Sequence, residues 1–390
     1  MKKVIFFIPI EHGKIGGAER RELRVFKELL KYENSELQFH AIITNRDNIE
    51  SINIDLSREI NENKITFLYD IKSYENKLLK KFKKVLFLFT KTKKMRLFSR
   101  KKNEKLILYF TVNPSIYSYF LPRISRIENY ILFVADSSFE HTYSKKTLLG
   151  KYYRFKSLKN ASLIITLSEE IKNQLIHCIP ILKNKEINVY PGSFTDFSKI
   201  NTNFNTKEYI YDFVLIGRWD FGKGHDLLFE ALKLIASWDK HHLIGRIGIF
   251  GFGPREDYIK NEINKLRNYF KIDAYEITDP FSILSKTKFS LSLQKFNNYP
   301  SQVVLESLAS GVKVIATNVG ETKKFKLIEL NMGYIIDYDK YSLAHQMIEC
   351  IQNDHYYLDY NEKLRIHEIA KKEYSIEKII YFMLKIIEKI

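Results

Sequence analysis

The sequence predicts an α/β protein organised as two domains of nearly equal size, with strands buried in parallel sheets. Three observations carry this. At 390 residues the chain exceeds what one hydrophobic core usually supports, and its 45% hydrophobic and 14% aromatic content can fill two. Short unbroken apolar runs recur between stretches of helical spacing, as strands covered on both faces require. Finally, Phe213 to Gly224, FVLIGRWDFGKG, carries an apolar strand into a glycine-flanked loop with two fixed cations, Arg218 and Lys223. Strand, cationic loop and helix then follow in the order that α/β proteins use to bind ligands at the carboxyl ends of their strands.

In the first half, Val4 to Ile10 reads as a strand and Ala18 to Lys31 as an amphipathic helix burying Leu23, Phe26, Leu29 and Leu30. The loop between them holds Gly16 and Gly17, whose backbone amides at the head of a helix attract anions. Strands follow at 39–44, 65–68 and 105–110, then a helix near 116–121 and a strand at 130–135 that opens into Asp136. Asp136 and His141 fall where a strand end projects polar side chains, and either could orient an acceptor hydroxyl. A strand-end cap and a surface histidine are the plainer alternatives. Leu163 to Leu167 is a further strand, and Ser168 with Glu169 and Glu170 is the start of a helix. After a short strand at 187–190, the Ser-, Thr- and Asn-rich stretch 193–207 reads as the interdomain linker.

The second half opens on the cationic loop. Gly217 and Gly222 let its backbone turn and approach a ligand, and Asp226 to Ile235 resumes at helical spacing. The loop matches neither the Walker spacing nor GxGxxG, and solvated surface charges are its plainer alternative. Strands are expected at 246–250, 274–277 and 289–293, with Gly251 to Pro254 turning into a helix near Arg255. Pro300 and Ser301 suit a helix start, Gly311 caps that helix, and Val312 to Ala316 is the next strand. Glu306 is the only charge in VVLESLA, where a carboxylate without a partner is costly. A ribose diol would satisfy it, unless the side chain simply faces solvent. Asp337 and Asp339 read as turn chemistry rather than a metal site. The final helix, 376–390, is apolar nearly all round and must pack against something substantial.

Charge is concentrated. Thirteen of the basic residues, among them Lys80, Lys81, Lys83, Lys84, Lys93 and Lys94, lie between Lys77 and Lys105 against the single acid Glu104, in a chain of formal charge +17. Interleaved leucines and phenylalanines make this a membrane-contact segment for anionic lipid. A nucleic-acid partner and a lysine-rich solvated face are the competing readings. Cys178 and Cys350 match no metal or redox spacing, which points to free thiols and a reducing compartment. The apolar start of the chain stops at Glu11 without a cleavage site, and no apolar stretch has spanning length, so a soluble, cytoplasmic protein is expected.

Taken together, GGAER at 16–20, ASLIITLSEEI at 161–171, VYPGS at 189–193, GRWDFGKGHDLLFEAL at 217–232, FGFGP at 250–254 and YPSQVVLESLASGVKVIATNVG at 299–320 resemble the retaining GT-B glycosyltransferases, family four. The resemblance implies two Rossmann-like lobes facing across a cleft: an acceptor-binding lobe over 1–200 joined by a returning C-terminal helix over 376–390, and a nucleotide-sugar-binding lobe over 208–375. It also implies that Arg218 and Lys223 clamp the donor diphosphate, that Gly17, beside Gly16, contacts donor phosphate or sugar, and that Glu306 binds ribose. Gly253, Ser301 and Asn298 complete the implied donor set. Asn298 stands where the family usually has a glutamate that touches the donor sugar.

The resemblance implies a transferase acting on a UDP- or GDP-sugar, with a glycan or lipid-linked acceptor in surface polysaccharide or lipopolysaccharide assembly. No metal and no cofactor is expected, since two cations and helix N-terminal amides can stabilise the leaving diphosphate. A nucleotide-sugar epimerase and a basic nucleic-acid binder with a decayed nucleotide site are the rival readings.

Overall fold

A computed structural model of the chain describes residues 1–9, 17–45, 55–69, 104–111, 114–136, 139–190, 194–195, 197, 200, 209–277, 279–353 and 360–390. The basic segment 77–103 and Gly16 lie outside these residues. The chain divides into two compact units, Met1–Pro191 with Glu377–Ile390, and Gly192–Ile376.

The first unit holds a seven-stranded, all-parallel sheet. Its strands are β1 (Lys2–Ile8), β2 (Leu37–Asn45), β3 (Ile65–Tyr69), β4 (Lys105–Phe110), β5 (Asn129–Val134), β6 (Leu163–Thr166) and β7 (Ile187–Val189), in the order β3-β2-β1-β4-β5-β6-β7. Helices α1 (Gly17–Leu29), α2 (Ser57–Asn61), α3 (Ile116–Ser125), α4 (Phe139–Ser144), α5 (Leu148–Asn160) and α6 (Glu169–Cys178) connect them. The buried runs of β1 and β5 explain the unbroken apolar sequence, because both faces are covered. Phe6 packs its ring against Phe26, Phe39 and Tyr109 at centroid distances of 5.6, 6.3 and 4.8 Å. Ser168 caps α6, its hydroxyl accepting the Ile171 amide.

The second unit holds a six-stranded parallel sheet of β8 (Tyr211–Ile216), β9 (Arg246–Phe250), β10 (Lys271–Tyr275), β11 (Thr287–Ser292), β12 (Lys313–Thr317) and β13 (Gly333–Ile336), in the order β10-β9-β8-β11-β12-β13. Relabelled from its own first strand this is 3-2-1-4-5-6, the doubly wound order whose ligand crevice opens where the winding reverses, between β8 and β11. Its helices are α7 (His225–Ser237), α8 (Glu256–Leu266), α9 (Pro280–Leu284), α10 (Gln302–Ala309), α11 (Lys340–Gln352) and α12 (Tyr360–Tyr374).

Helix α13 (Ile376–Lys389) belongs to the first unit. It buries Ile379, Ile380, Met383, Ile386 and Ile387 while Tyr381 is 71% exposed. It is therefore one-faced rather than apolar all round. Lys2 extends its ammonium to the carbonyls of Ile387 and Glu388, at 3.0 and 2.8 Å, satisfying groups that the end of a helix leaves unpaired. No helix among the described residues is long and apolar enough to cross a membrane.

Three element boundaries differ from the sequence expectations. Strand β10 starts three residues before Ala274, and its Lys271 and Asp273 are polar because it is an edge strand, which an apolar-run reading overlooks. Helix α3 runs past Leu121 and through Pro122, with the Ser125 hydroxyl donating to the Leu121 carbonyl in its last turn. Phe194 and Thr195 group with the second unit, where the Thr195 amide donates to the Tyr374 carbonyl and the Phe194 carbonyl accepts from Gln302.

At the crevice, Gly224 has φ of 89°, and an added Cβ would overlap the carbonyl oxygen of Leu293 beyond the end of β11. A positive φ and an unrelieved overlap each cost about 1–3 kcal/mol. Gly224→Ala is therefore expected to lower the melting temperature of the second unit by roughly 5–15 °C, read by calorimetry. An unchanged transition would show that the loop relaxes freely.

Candidate functional site

The site is built from the loops that leave β8, β9 and β11 at the carboxyl edge of the second sheet. The β8 loop carries Arg218 and Lys223. Its Trp219 is buried and closely backed by glycine: a Cβ on Gly253, in the β9 loop, would overlap the Trp219 backbone. Gly253 thus holds two loops together.

Arg218 is exposed, with its Nε 3.5 Å from Asp220. Lys223 is half-buried. Its ammonium donates to the side-chain carbonyls of Gln294 and Asn298, at 3.3 and 3.4 Å, and makes no ion pair among the described residues. Burial lowers its pKa, helped by the nearby Arg218 cation and opposed by Asp220. Neutral amides accept from this cation without cancelling its charge, which leaves it available to an anion.

The β11 loop is braced from both sides. Asn297 Oδ1 accepts the Tyr299 amide at 3.0 Å, and a Cβ on Gly320, beyond β12, would overlap the Asn297 side chain. This fixes Asn298 beside Lys223. Ser301 then begins α10 and is buried, yet its side chain caps nothing. The carboxyl end of α10 is pinned by α12, where His367 Nδ1 lies 2.6 Å from the Ala309 carbonyl. Glu306, half-buried on this clamped helix, accepts a 3.2 Å hydrogen bond from Gln302.

Helix starts around the loop share one property. Helices α7, α8 and α10 begin at Gly224, Arg255 and Ser301 without a side-chain cap, whereas α9 and α11 in the same unit are capped by Asp279 and Asp339. Asp339 is thus a helix cap, accepting the Ser342 amide at 2.8 Å. Starts without a side-chain cap present the positive end of the helix dipole, an arrangement suited to a phosphate. Among the described residues no cluster of three or more His, Cys, Asp or Glu could hold a metal ion.

Sequence reasoning missed several groups here. His225, the first residue of α7, is buried with neither ring nitrogen hydrogen-bonded. Burial, then the cations of Arg255 and Lys223, push its pKa down to about 4 against the pull of Asp226. Arg255 forms a two-pronged ion pair with Asp226, both bonds at 2.7 Å. Gln294, the main partner of Lys223, lies two residues beyond β11, and nothing in its sequence neighbourhood marks it. A cavity of about 430 Å³ lined by Phe221, Asp226, Leu227, Lys295, Tyr338 and Lys340, among others, lies on the α7–α11 side of the loop. Arg218, Lys223 and Glu306 do not line it, so it is distinct from the cationic site.

In the first unit, Gly17 opens α1. Asp136, half-buried, accepts from the Thr142 hydroxyl at 2.5 Å, and Arg154 donates to the same hydroxyl at 3.4 Å. His141 is exposed on α4, so the structure gives Asp136 a polar anchor but does not pair the two residues. An unforeseen buried cluster sits nearby on α1. Arg21 pairs with Glu22 at 3.1 Å and stacks over Phe133 at 5.0 Å, and Tyr109 donates to Glu22. The membrane-contact lysines Lys80, Lys81, Lys83, Lys84, Lys93 and Lys94 lie outside the described residues.

Residues 211–353 match the family model of glycosyl transferases group 1. An uncharacterized glycosyltransferase of Methanocaldococcus jannaschii is 26% identical over 249 residues, 63% of this chain and 65% of that relative's length. Among solved structures, sucrose-phosphate synthase of Thermosynechococcus elongatus superposes with a TM-score of 0.70 at 14% identity, covering 100% of this chain and 99% of its own. Anabaena HepE, crystallised in complex with UDP, gives 0.67 at 14% identity with 100% of both chains covered. The fold is thereby GT-B, with two α/β units around parallel sheets.

The buried histidine makes stability pH-dependent. Unfolded, His225 titrates near 6.5 and in the folded chain near 4, so the unfolded state binds more protons between those values. Stability is complete above about pH 6.5 and falls by roughly 3 kcal/mol toward pH 4. His40 in the first unit, also held at about 4 by burial, adds a similar loss there. His225→Leu is expected to flatten the acid limb of the melting temperature for the second unit alone. An acid limb of unchanged slope would disprove the assignment.

Proposed function

We propose that this chain, a GT-B protein whose second unit carries a glycosyl transferases group 1 domain, transfers a sugar from a nucleoside diphosphate donor to a glycan or lipid-linked acceptor. The observation that carries the reading is the half-buried Lys223 ammonium, met by two amide oxygens and, among the described residues, by no carboxylate at ion-pair distance, between helix starts that lack side-chain caps. Such a place favours a dianionic group. The UDP in the HepE complex supports a uridine donor by likeness of fold.

In this reading the diphosphate lies against Arg218, Lys223 and the starts of α7 and α10, and Glu306 accepts hydrogen bonds from the ribose. As the glycosidic bond to the diphosphate breaks, negative charge grows on the bridging oxygen. Arg218 and Lys223 offset it with no reorganisation, because the loop is already fixed by Gly224 and Gly253. No metal is called for, since these cations supply the neutralisation. Asn298, bonded to Lys223, reaches the sugar as a hydrogen-bond partner without adding charge. Departure and attack on the same face, with the departing phosphate taking the acceptor proton, retain the anomeric configuration. Asp136, held by Thr142 and Arg154, receives the acceptor hydroxyl. Basic segment 77–105 places the protein on the inner membrane face, where lipid-linked acceptors for surface polysaccharide or lipopolysaccharide assembly reside.

Charge-assisted hydrogen bonds contribute about 1.5–3 kcal/mol each, so Arg218→Ala or Lys223→Ala is expected to slow turnover by roughly ten- to a hundredfold. Because Lys223 is half-buried without a counter-charge, Lys223→Met is expected to keep or raise the melting temperature of the ligand-free protein while abolishing its rise with UDP or GDP. A thermal-shift panel across UDP, GDP and CDP reads both. No shift with any nucleotide in the unaltered protein would refute the donor site.

A further inference from the structure

We propose that the amino-terminal end of α5, with the tyrosine face of α3 beside it, is a second lipid-docking surface, one that seats the first unit on an anionic membrane. The proposal rests on the membrane-associated part of the function above and adds a site outside the basic segment 77–105.

Exposed apolar side chains mark the place. Leu148 and Leu149 are 88% and 59% exposed at the start of α5, and Tyr152, one turn on, is 46% exposed. Adjacent leucines left in water are a cost that a purely structural helix has no reason to bear. Tyr152 continues into a packed aromatic group: its ring stands 5.9 Å from Tyr119 on α3, and Tyr119 stands 4.8 Å from Tyr153. Tyrosines of this kind, apolar in body and polar at the tip, are the side chains that settle at the boundary between lipid headgroups and hydrocarbon.

The charges that α5 and α3 themselves contribute are all of one sign. From His141 to Ser168 there is no Asp or Glu, but there are Lys145, Lys146, Lys151, Arg154, Lys156 and Lys159. Helix α3 has no acid either, and its Arg123 guanidinium lies 3.8 Å above the Tyr119 ring. Lys156 lies 5.6 Å from the Tyr152 ring centroid. Lysines and arginines of this length can lay their stems along the apolar patch and keep their charges at its rim. Projecting leucines, an aromatic shoulder and a cationic rim from α5 and α3 together fit an anionic lipid surface. A protein partner would need a complementary acidic face, and a second copy of this chain would bring like charges together.

The test is sedimentation of the full chain with vesicles of phosphatidylcholine alone or mixed with phosphatidylglycerol. The unaltered chain is expected to pellet with the anionic vesicles and to be released by salt. Leu148→Glu with Leu149→Glu, leaving residues 77–105 intact, is expected to weaken partitioning by at least about tenfold. Lys145→Ala with Lys146→Ala is expected to weaken it by roughly ten- to thirtyfold. Leu148→Trp is expected to shift its emission to the blue on anionic vesicles only. Unchanged melting and an unchanged response to UDP check that the variants fold. Undiminished partitioning of the glutamate variant, or a change in its sedimentation mass without lipid, would overturn the proposal, the latter by revealing a self-association surface. If the unaltered chain ignores every vesicle yet still responds to UDP, this docking surface falls and the donor site stands.

Discussion

The second unit is arranged around a lysine ammonium held partly out of water that, among the described residues, forms no ion pair. A half-buried cation of this kind is tolerated when its donors find acceptors, and the side chains of Gln294 and Asn298 take two of its three N–H groups while leaving the charge uncancelled. Everything near it serves to keep those amides in place. Asn297 is braced against Gly320, α10 is clamped by His367, and the loop backbone reaches its position only because residue 224 is glycine. Removing any brace would let the loop solvate Lys223 and relax the arrangement.

The first unit solves a different problem with similar parts. Its Arg21 is also buried, but there a carboxylate partner and aromatic faces surround the guanidinium, so charge and counter-charge close on each other. Burial lowers the pKa of Lys223, whereas at Arg21 the pull of Glu22 and of two tyrosines outweighs burial and raises it. One cation is internally paired and the other is held open.

Much of this was legible in the sequence because parallel strands covered on both faces leave unbroken apolar runs, and β8, β9 and β12 are such runs. Edge strand β10 was harder, since an exposed Lys271 and an Asp273 tied to Tyr211 and Arg246 break the apolar pattern. Arg218 and Lys223 announced themselves through flanking glycines. Gln294 did not, because an amide after a strand has no spacing signature and acquires meaning only when another loop folds beside it. His225 was hidden for the opposite reason: in KGHDLL it sits among residues of helical spacing, and its isolation from hydrogen-bond partners is a property of three-dimensional packing. Asp136 and His141 were each read as a residue that could orient an acceptor hydroxyl; the turn of α4 leaves His141 exposed, while Asp136 accepts from Thr142, which Arg154 also reaches.

Three helices of the second unit, α7, α8 and α10, start without a side chain to tie down their first amides, while two others in the same unit are fastened by aspartates. The fastening is missing beside the cationic loop and present where Asp279 and Asp339 stand. A visiting anion would therefore act as the missing rivet at several points at once, so that occupancy and local rigidity become a single thermodynamic event. In such a scaffold a bound anion would also be a building material.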